Sequence, residues 1–179
     1  MRRALLLSLL LLPACRSEGV TIIPEMDLPP EVYSPRDTVP EGTGLPDTGT
    51  VYLVDGQHLV PARRTLPPGE SLPEVLLGAL LDEPPTASAI PPDTRVLAVV
   101  VGGGVATVDL SEEFEQGASG SDLALRVAQI VFTLTEHPNI RSVLFAIEGQ
   151  QRPVVAGNLR DVLNEPVTRQ DYARFAPGA

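Results

Sequence analysis

Of 179 residues none is lysine or tryptophan, one is cysteine, two are histidine, and aromatic side chains make up 4%. Each shortage removes a class of chemistry. Without lysine the chain can form neither the usual phosphate-binding loop nor a Schiff base with a carbonyl substrate. A single thiol, Cys15, closes no intrachain disulfide and builds no cysteine metal cluster, so packing alone holds the fold. The two histidines, His58 and His137, lie too far apart in the chain for a structural zinc pattern. All 13 positive charges are arginine, set against 23 acids for a net charge of −10. Such a balance, with no basic stripe, excludes nucleic acid as a partner. Neither a cofactor nor a metal ion is expected.

What is present begins with Arg2 and Arg3, then a leucine-rich run from Ala4 to Leu12, then Ala14 directly before Cys15. This is the order of a secretory signal: charge, apolar stretch, small residue. As a helix the run would span about 14 Å against roughly 30 Å of hydrocarbon, too short to cross. The segment resembles a bacterial lipoprotein signal, with residues 1–14 removed and Cys15 as the lipid attachment site. An ordinary secretory signal is the alternative. The resemblance implies a diacylglyceryl group on the sulfur, usually with an added N-acyl chain, and two or more chains hold a protein firmly at a membrane. The expected location is the outer face of the cytoplasmic membrane.

Residues 15–49 are rich in proline and acids, with Pro24, Pro29, Pro30, Pro35, Pro40 and Pro46 interrupting any helix. They read as a tether, able to reach on the order of 100 Å if extended at about 3.1 Å per residue; the alternative is that Val20 to Ile23 forms a strand that docks on the domain. A folded domain is expected over 50–175, a length sufficient for one core.

Within it, Val51 to Val54, Asp55-Gly56 and His58 to Arg64 read as a hairpin. Ser71 and Glu74 form a candidate capping box for a helix through Leu72, Val75, Leu76, Ala79 and Leu80, closed by Pro84-Pro85. Thr94 to Val101 is apolar and β-branched, the pattern of a strand covered on both faces. Gly102-Gly103-Gly104 leads into Val105 to Leu110, so the glycines read as a hairpin turn, not a phosphate cradle. A second helix starts at Ser119 to Asp122 and runs to His137. Its apolar stripe is Leu123, Val127, Ile130, Val131 and Leu134, with Arg126, Gln129, Thr133 and Glu136 on a side expected to be solvated. Ile140 to Ile147 and Arg152 to Ala156 close the order as strands. The expected class is α+β: two layers, a mostly antiparallel sheet with two helices packed on one face.

Several stretches in order, Val51 to Gly56 with Leu59-Val60-Pro61, Leu77 to Asp82, Ala89-Ile90-Pro91 and Thr94 to Leu97, carry a family likeness. So do Gly104 to Ser111 with Phe114, Ala128 to Thr135, and Val167 to Tyr172. Over about two-thirds of its length the chain resembles the GerMN domain of sporulation and germination lipoproteins. The resemblance implies a non-enzymatic extracytoplasmic module of the cell envelope. Family members take part in channel assembly during sporulation, in modulation of a sensor kinase, or alongside wall amidases. This chain has one such domain and neither a kinase-binding region nor an amidase domain, so the general task of contact with an envelope protein or the wall is what carries over.

The rival is a wall hydrolase using Asp109, Glu112, Glu113 and Glu115, since paired carboxylates are what glycoside hydrolysis requires. The scarcity of aromatics leaves a sugar little to stack on. The alternative for these acids is a turn organised by Asp109 and Ser111 with the glutamates solvated. Arg169 and Tyr172, types enriched at hot spots, are candidate partner contacts, as are Gln129 and Thr133 one helical turn apart. For all four the structural reading is the favoured one: Tyr172 packs the C-terminal segment onto the sheet, Arg169 bonds to a helix end or carboxylate, and Gln129 and Thr133 bond to the backbone of a neighbouring strand.

Overall fold

The dipeptide Asp55-Gly56 turns the chain where expected, with Gly56 at φ +62°, a left-handed conformation glycine adopts without strain. The computed structural model describes residues 47–67 and 72–179. Cys15, the signal segment, the proline-rich stretch to Pro46 and the Ser71 of the expected capping box lie outside them. Around the turn, β1 (Asp47–Asp55) pairs antiparallel with β2 (His58–Leu66) over its whole length. The helix α1 (Leu72–Leu81) follows and buries Val75, Leu76, Leu77 and Leu80.

The strands β3 (Val96–Gly102) and β4 (Val105–Leu110) form the second hairpin. Gly103 and Gly104 make its turn at φ +60° and +88°. A short 3₁₀ turn, Glu112–Glu115, leads to α2 (Gly120–Leu134). Ser119 and Asp122 cap α2 reciprocally: each side chain accepts from the other's backbone N–H. Hydrogen bonds from Ser119 depress the Asp122 carboxyl below its ordinary value.

After α2 the chain enters β5 (Ser142–Ile147), which runs parallel to β4, as a strand–helix–strand crossover permits. The short β6 (Gln150–Gln151) pairs antiparallel with the end of β5, giving the sheet order β3-β4-β5-β6. A two-residue ladder joins β7 (Val154–Val155) to β8 (Val162–Leu163), and a 3₁₀ segment, Arg169–Phe175, closes the domain. The result is an α+β fold whose sheets are antiparallel except for β4 with β5. One face of the central strands, Ala106, Val108, Leu110, Val143, Phe145 and Ile147, joins the apolar residues of both helices in a single core.

Four sequence expectations change. The strand expected to be covered on both faces is instead the sheet's edge: Leu97, Val100 and Val101 of β3 are 44%, 64% and 43% exposed. A continuous apolar run marks a strand but not its rank in the sheet, and the central place went to β4. Of the polar residues expected to be solvated, Arg126, Gln129 and Thr133 of α2 are buried, while Glu136, just past the helix end, is exposed. That helix packs on β5 and β7, on α1, on β1 and on the closing 3₁₀ segment, so residues 124–134 are buried all round. It also stops at Leu134 with Thr135 as its cap, three residues before His137. Finally, the strand expected over Arg152 to Ala156 shrinks to Val154–Val155, whose partner β8 was not anticipated.

Candidate functional site around Tyr52

Three of the four candidate contact residues converge on one residue outside the candidate set, Tyr52. Tyr52 lies on β1 with β2 on one side, so its backbone N–H and C=O on the other side need partners. Thr133 Oγ1 accepts from Tyr52 N at 3.0 Å, and Gln129 Nε2 donates to Tyr52 O at 2.9 Å. One helical turn separates Gln129 and Thr133, so their side chains stand in for the missing neighbouring strand. Val54 N donates to Ala87 O at 2.8 Å and continues the cover along this edge.

The same helix face clamps the 87–90 loop. Gln129 Oε1 accepts from Ala89 N at 2.8 Å, while Arg126 Nε donates to Ala89 O at 3.0 Å. Arg126 Nη1 also donates to Phe114 O and Gln116 O at 2.6 and 3.0 Å. Burial pulls the guanidinium below its ordinary pKa, and Asp122 partly offsets it. Three carbonyl dipoles thus solvate the ion that water no longer reaches.

Arg169 arrives from the closing segment. Its guanidinium stacks over the rings of Tyr52 and Phe132, 5.2 and 5.0 Å from their centroids. It donates to Thr135 Oγ1 at 2.7 Å and to Phe132 O at 2.8 Å, and pairs with Glu136. Tyr52 Oη donates to Glu136 Oε2 at 3.3 Å. Burial raises the Tyr52 pKa, with Arg169 opposing and Glu136 reinforcing. The side chain of Arg169 remains about one-third exposed.

Tyr172 stands apart, fully buried, its Oη donating to Val155 O at 3.0 Å. Gln129, Thr133 and Tyr172 thus follow the structural one of their two readings: Gln129 and Thr133 bond to the backbone of a neighbouring strand, and Tyr172 packs inside the domain. What could have revealed Tyr52 is the rarity of tyrosine, three in the chain, on a hairpin strand whose outer edge needs partners.

The carboxylates of the acidic stretch each have their own surroundings. Asp109 Oδ1 accepts from Gly149 N at 2.9 Å, Glu112 is exposed, and Glu115 lies 4.0 Å from Arg152. Glu113, 3.9 Å from Arg95, is held below the ordinary carboxyl range chiefly by the Ser111 hydroxyl. Among the described residues no group of three histidine, cysteine or acidic side chains is placed to hold a metal. His58 is exposed in the first hairpin, and His137 Nδ1 accepts from Asn139 N at 3.2 Å just beyond α2. Of two shallow hollows, one of about 160 Å³ lies between β1, Leu76 and residues 136–138 beyond α2, and one of about 310 Å³ lies where α1 meets the end of β2. The smaller falls below the usual range for a ligand pocket and the larger sits at its lower end.

The profile of the sporulation and spore germination family, Germane, matches residues 50–153, more than half of the chain. The chain belongs to this family. Among solved structures, the Germane chain is similar to the tandem GerMN domains of the sporulation protein GerM from Bacillus subtilis. That match has a TM-score of 0.57 and 23% identity over 70% of this chain and 47% of that one, so the chain spans about half of the tandem protein. The first GerMN domain of the same protein matches at 0.50 and 24% identity, over 59% of this chain and 86% of that one. A candidate lipoprotein from Clostridium perfringens matches at 0.50 and 21%, over 73% and 92%. At these identities the likeness is one of fold. No curated protein matches the Germane chain significantly.

Proposed function

We propose that this chain is a lipid-anchored, extracytoplasmic GerMN-domain protein of the bacterial envelope that works by contact with another envelope protein or the wall, in the setting of sporulation or envelope signalling. The observation that carries the reading is that three carboxylates of the acidic stretch are engaged by separate neighbours. Glycoside hydrolysis needs two carboxyl groups facing each other across a bond, one of them with a raised pKa. Here Asp109 is tied to the Gly149 N–H, Glu113 is depressed, and Glu115 leans toward Arg152. The polar groups of α2 are likewise spent on the fold. Support for the anchor comes from the Leu-Pro-Ala-Cys order ending at Cys15 and from the candidate lipoprotein among the similar structures.

The whole protein, extracted from membranes and incubated with purified peptidoglycan, is expected to release no soluble muropeptides above the blank. Photo-crosslinkers on its exposed surface are expected to capture an envelope component in cells. Release of muropeptides that Glu112→Ala abolishes would replace this reading with the hydrolase.

A further inference from the structure

Two edge strands of the fold, β1 and β3, are treated very differently. The free side of β1 is covered by Thr133, Gln129 and the Ala87 carbonyl. The free side of β3 has no such cover: among the described residues, no backbone hydrogen bond joins residues 96–102 to anything outside its own sheet. Natural edge strands are usually protected by charge, proline or a covering loop. Nine consecutive residues, Val96 to Gly104, contain no charge and no proline, and Leu97, Val100 and Val101 are exposed. Only the irregular register between Val96 and Ala98 interrupts this edge.

Charge returns at both ends. Arg95 precedes the strand with its side chain 69% exposed and a loose partner, Glu113, at 3.9 Å. Beyond the far end, Arg141 donates to Gly103 O at 2.7 Å, its guanidinium lying over Gly104, where a Cβ would collide with it. A seven-residue strand is about 23 Å long. In a chain of net charge −10, this edge is an apolar, hydrogen-bonding strip flanked by two cations.

We infer that β3 receives an extended segment of a partner protein as an added strand, apolar and β-branched in its middle and acidic at both ends, its acids meeting Arg95 and Arg141. Backbone bonds supply the grip and the flanking charges select the partner, as in other strand-addition interfaces. A second copy of this chain fits less well. Antiparallel pairing of two β3 strands about Val99 brings Arg95 of one copy to the Gly103 and Arg141 end of the other, cation against cation. The inference rests on the contact reading above and supplies the chemistry of the contact.

The test uses the full-length protein in detergent and a fluorescent peptide, Glu-Val-Thr-Ile-Ile-Val-Glu, followed by anisotropy. Saturable binding is expected, weakened at least tenfold by Val100→Asp, by the Arg95→Ala/Arg141→Ala pair, and by N-methylation of alternate peptide nitrogens. Circular dichroism should be unchanged in each variant. Equal binding of a peptide with lysines in place of the glutamates, or indifference to Val100→Asp, overturns the inference. So does light scattering that finds a dimer dissociated by Val100→Asp, since the occupant is then a second copy. Failure here, with envelope crosslinks still formed elsewhere on the surface, removes this edge and leaves the contact reading standing; muropeptide release removes that reading instead.

Discussion

Gln129 is the residue on which most of the hairpin's attachment turns, because it is fully buried and its amide both donates and accepts. Leucine of similar volume would leave the Tyr52 carbonyl and the Ala89 N–H without partners. At about 1–3 kcal/mol for each buried group left unpaired, Gln129→Leu is expected to cost about 3 kcal/mol. Urea denaturation should show the midpoint falling with the slope unchanged. Tyr172 gives a pH-dependent counterpart. Burial, reinforced by Asp171, raises its pKa well above the usual tyrosine range. An unfolded tyrosine ionises near pH 10, so the unfolded chain releases this proton first. Its contribution to stability is thus intact below about pH 10 and lost as pH rises toward the folded value. Tyr172→Phe should flatten the fall in stability between about pH 10 and 12, while costing about 1 kcal/mol at neutral pH through the lost bond to Val155 O. Tyr52 shifts in the same direction, so some slope should remain.

At the scale of elements, the closing 3₁₀ segment depends on a glycine. A Cβ on Gly157 would stand 2.6 Å from Asp171 O and 2.9 Å from Tyr172 Cα, both backbone atoms that cannot swing aside. Gly157 N also donates to Asp171 O at 2.9 Å. Gly157→Ala should therefore cost about 1–3 kcal/mol, the range for an overpacked site, and loosen residues 169–175 first. Faster amide exchange there than in α2 is the measurement. Such tertiary contacts divide what was legible in the sequence from what was not. Asp55-Gly56, the glycines after β3, the Ser119 to Asp122 cap and the limits of β4 are set by neighbours a few residues away, and they were readable. The rank of β3 in its sheet, the burial of Gln129 and Thr133, and the pairing of Val154 with Leu163 depend on segments distant in sequence. Periodicity shows that a residue is off an apolar stripe; it does not show whether water or Tyr52 stands opposite. For the same reason the candidate site was half legible: Arg169, Gln129 and Thr133 were singled out, but not the tyrosine that gathers them.

For the molecule as a whole, the proposal makes one atom responsible for membrane attachment. Among the described residues no helix is long and apolar enough to cross a bilayer. The net charge of −10 opposes adsorption to anionic headgroups, since juxtamembrane attraction of that kind comes from basic clusters. Retention in the membrane fraction would therefore have to be apolar, through acyl chains on Cys15. One chain gives marginal, reversible binding, whereas two signals hold. The wild-type protein is expected to stay in the pellet through a high-salt wash and to leave it in detergent. Cys15→Ala should shift it to the soluble fraction, because the Ala4 to Leu12 run, about 14 Å as a helix, is too short to replace the lipid. Mass spectrometry of the wild-type chain should find residues 1–14 absent and the new N-terminal cysteine heavier by a diacylglyceryl group. A wild-type chain with an unmodified thiol in the soluble fraction would defeat the anchor while leaving the family, the fold and the Tyr52 cluster unaffected.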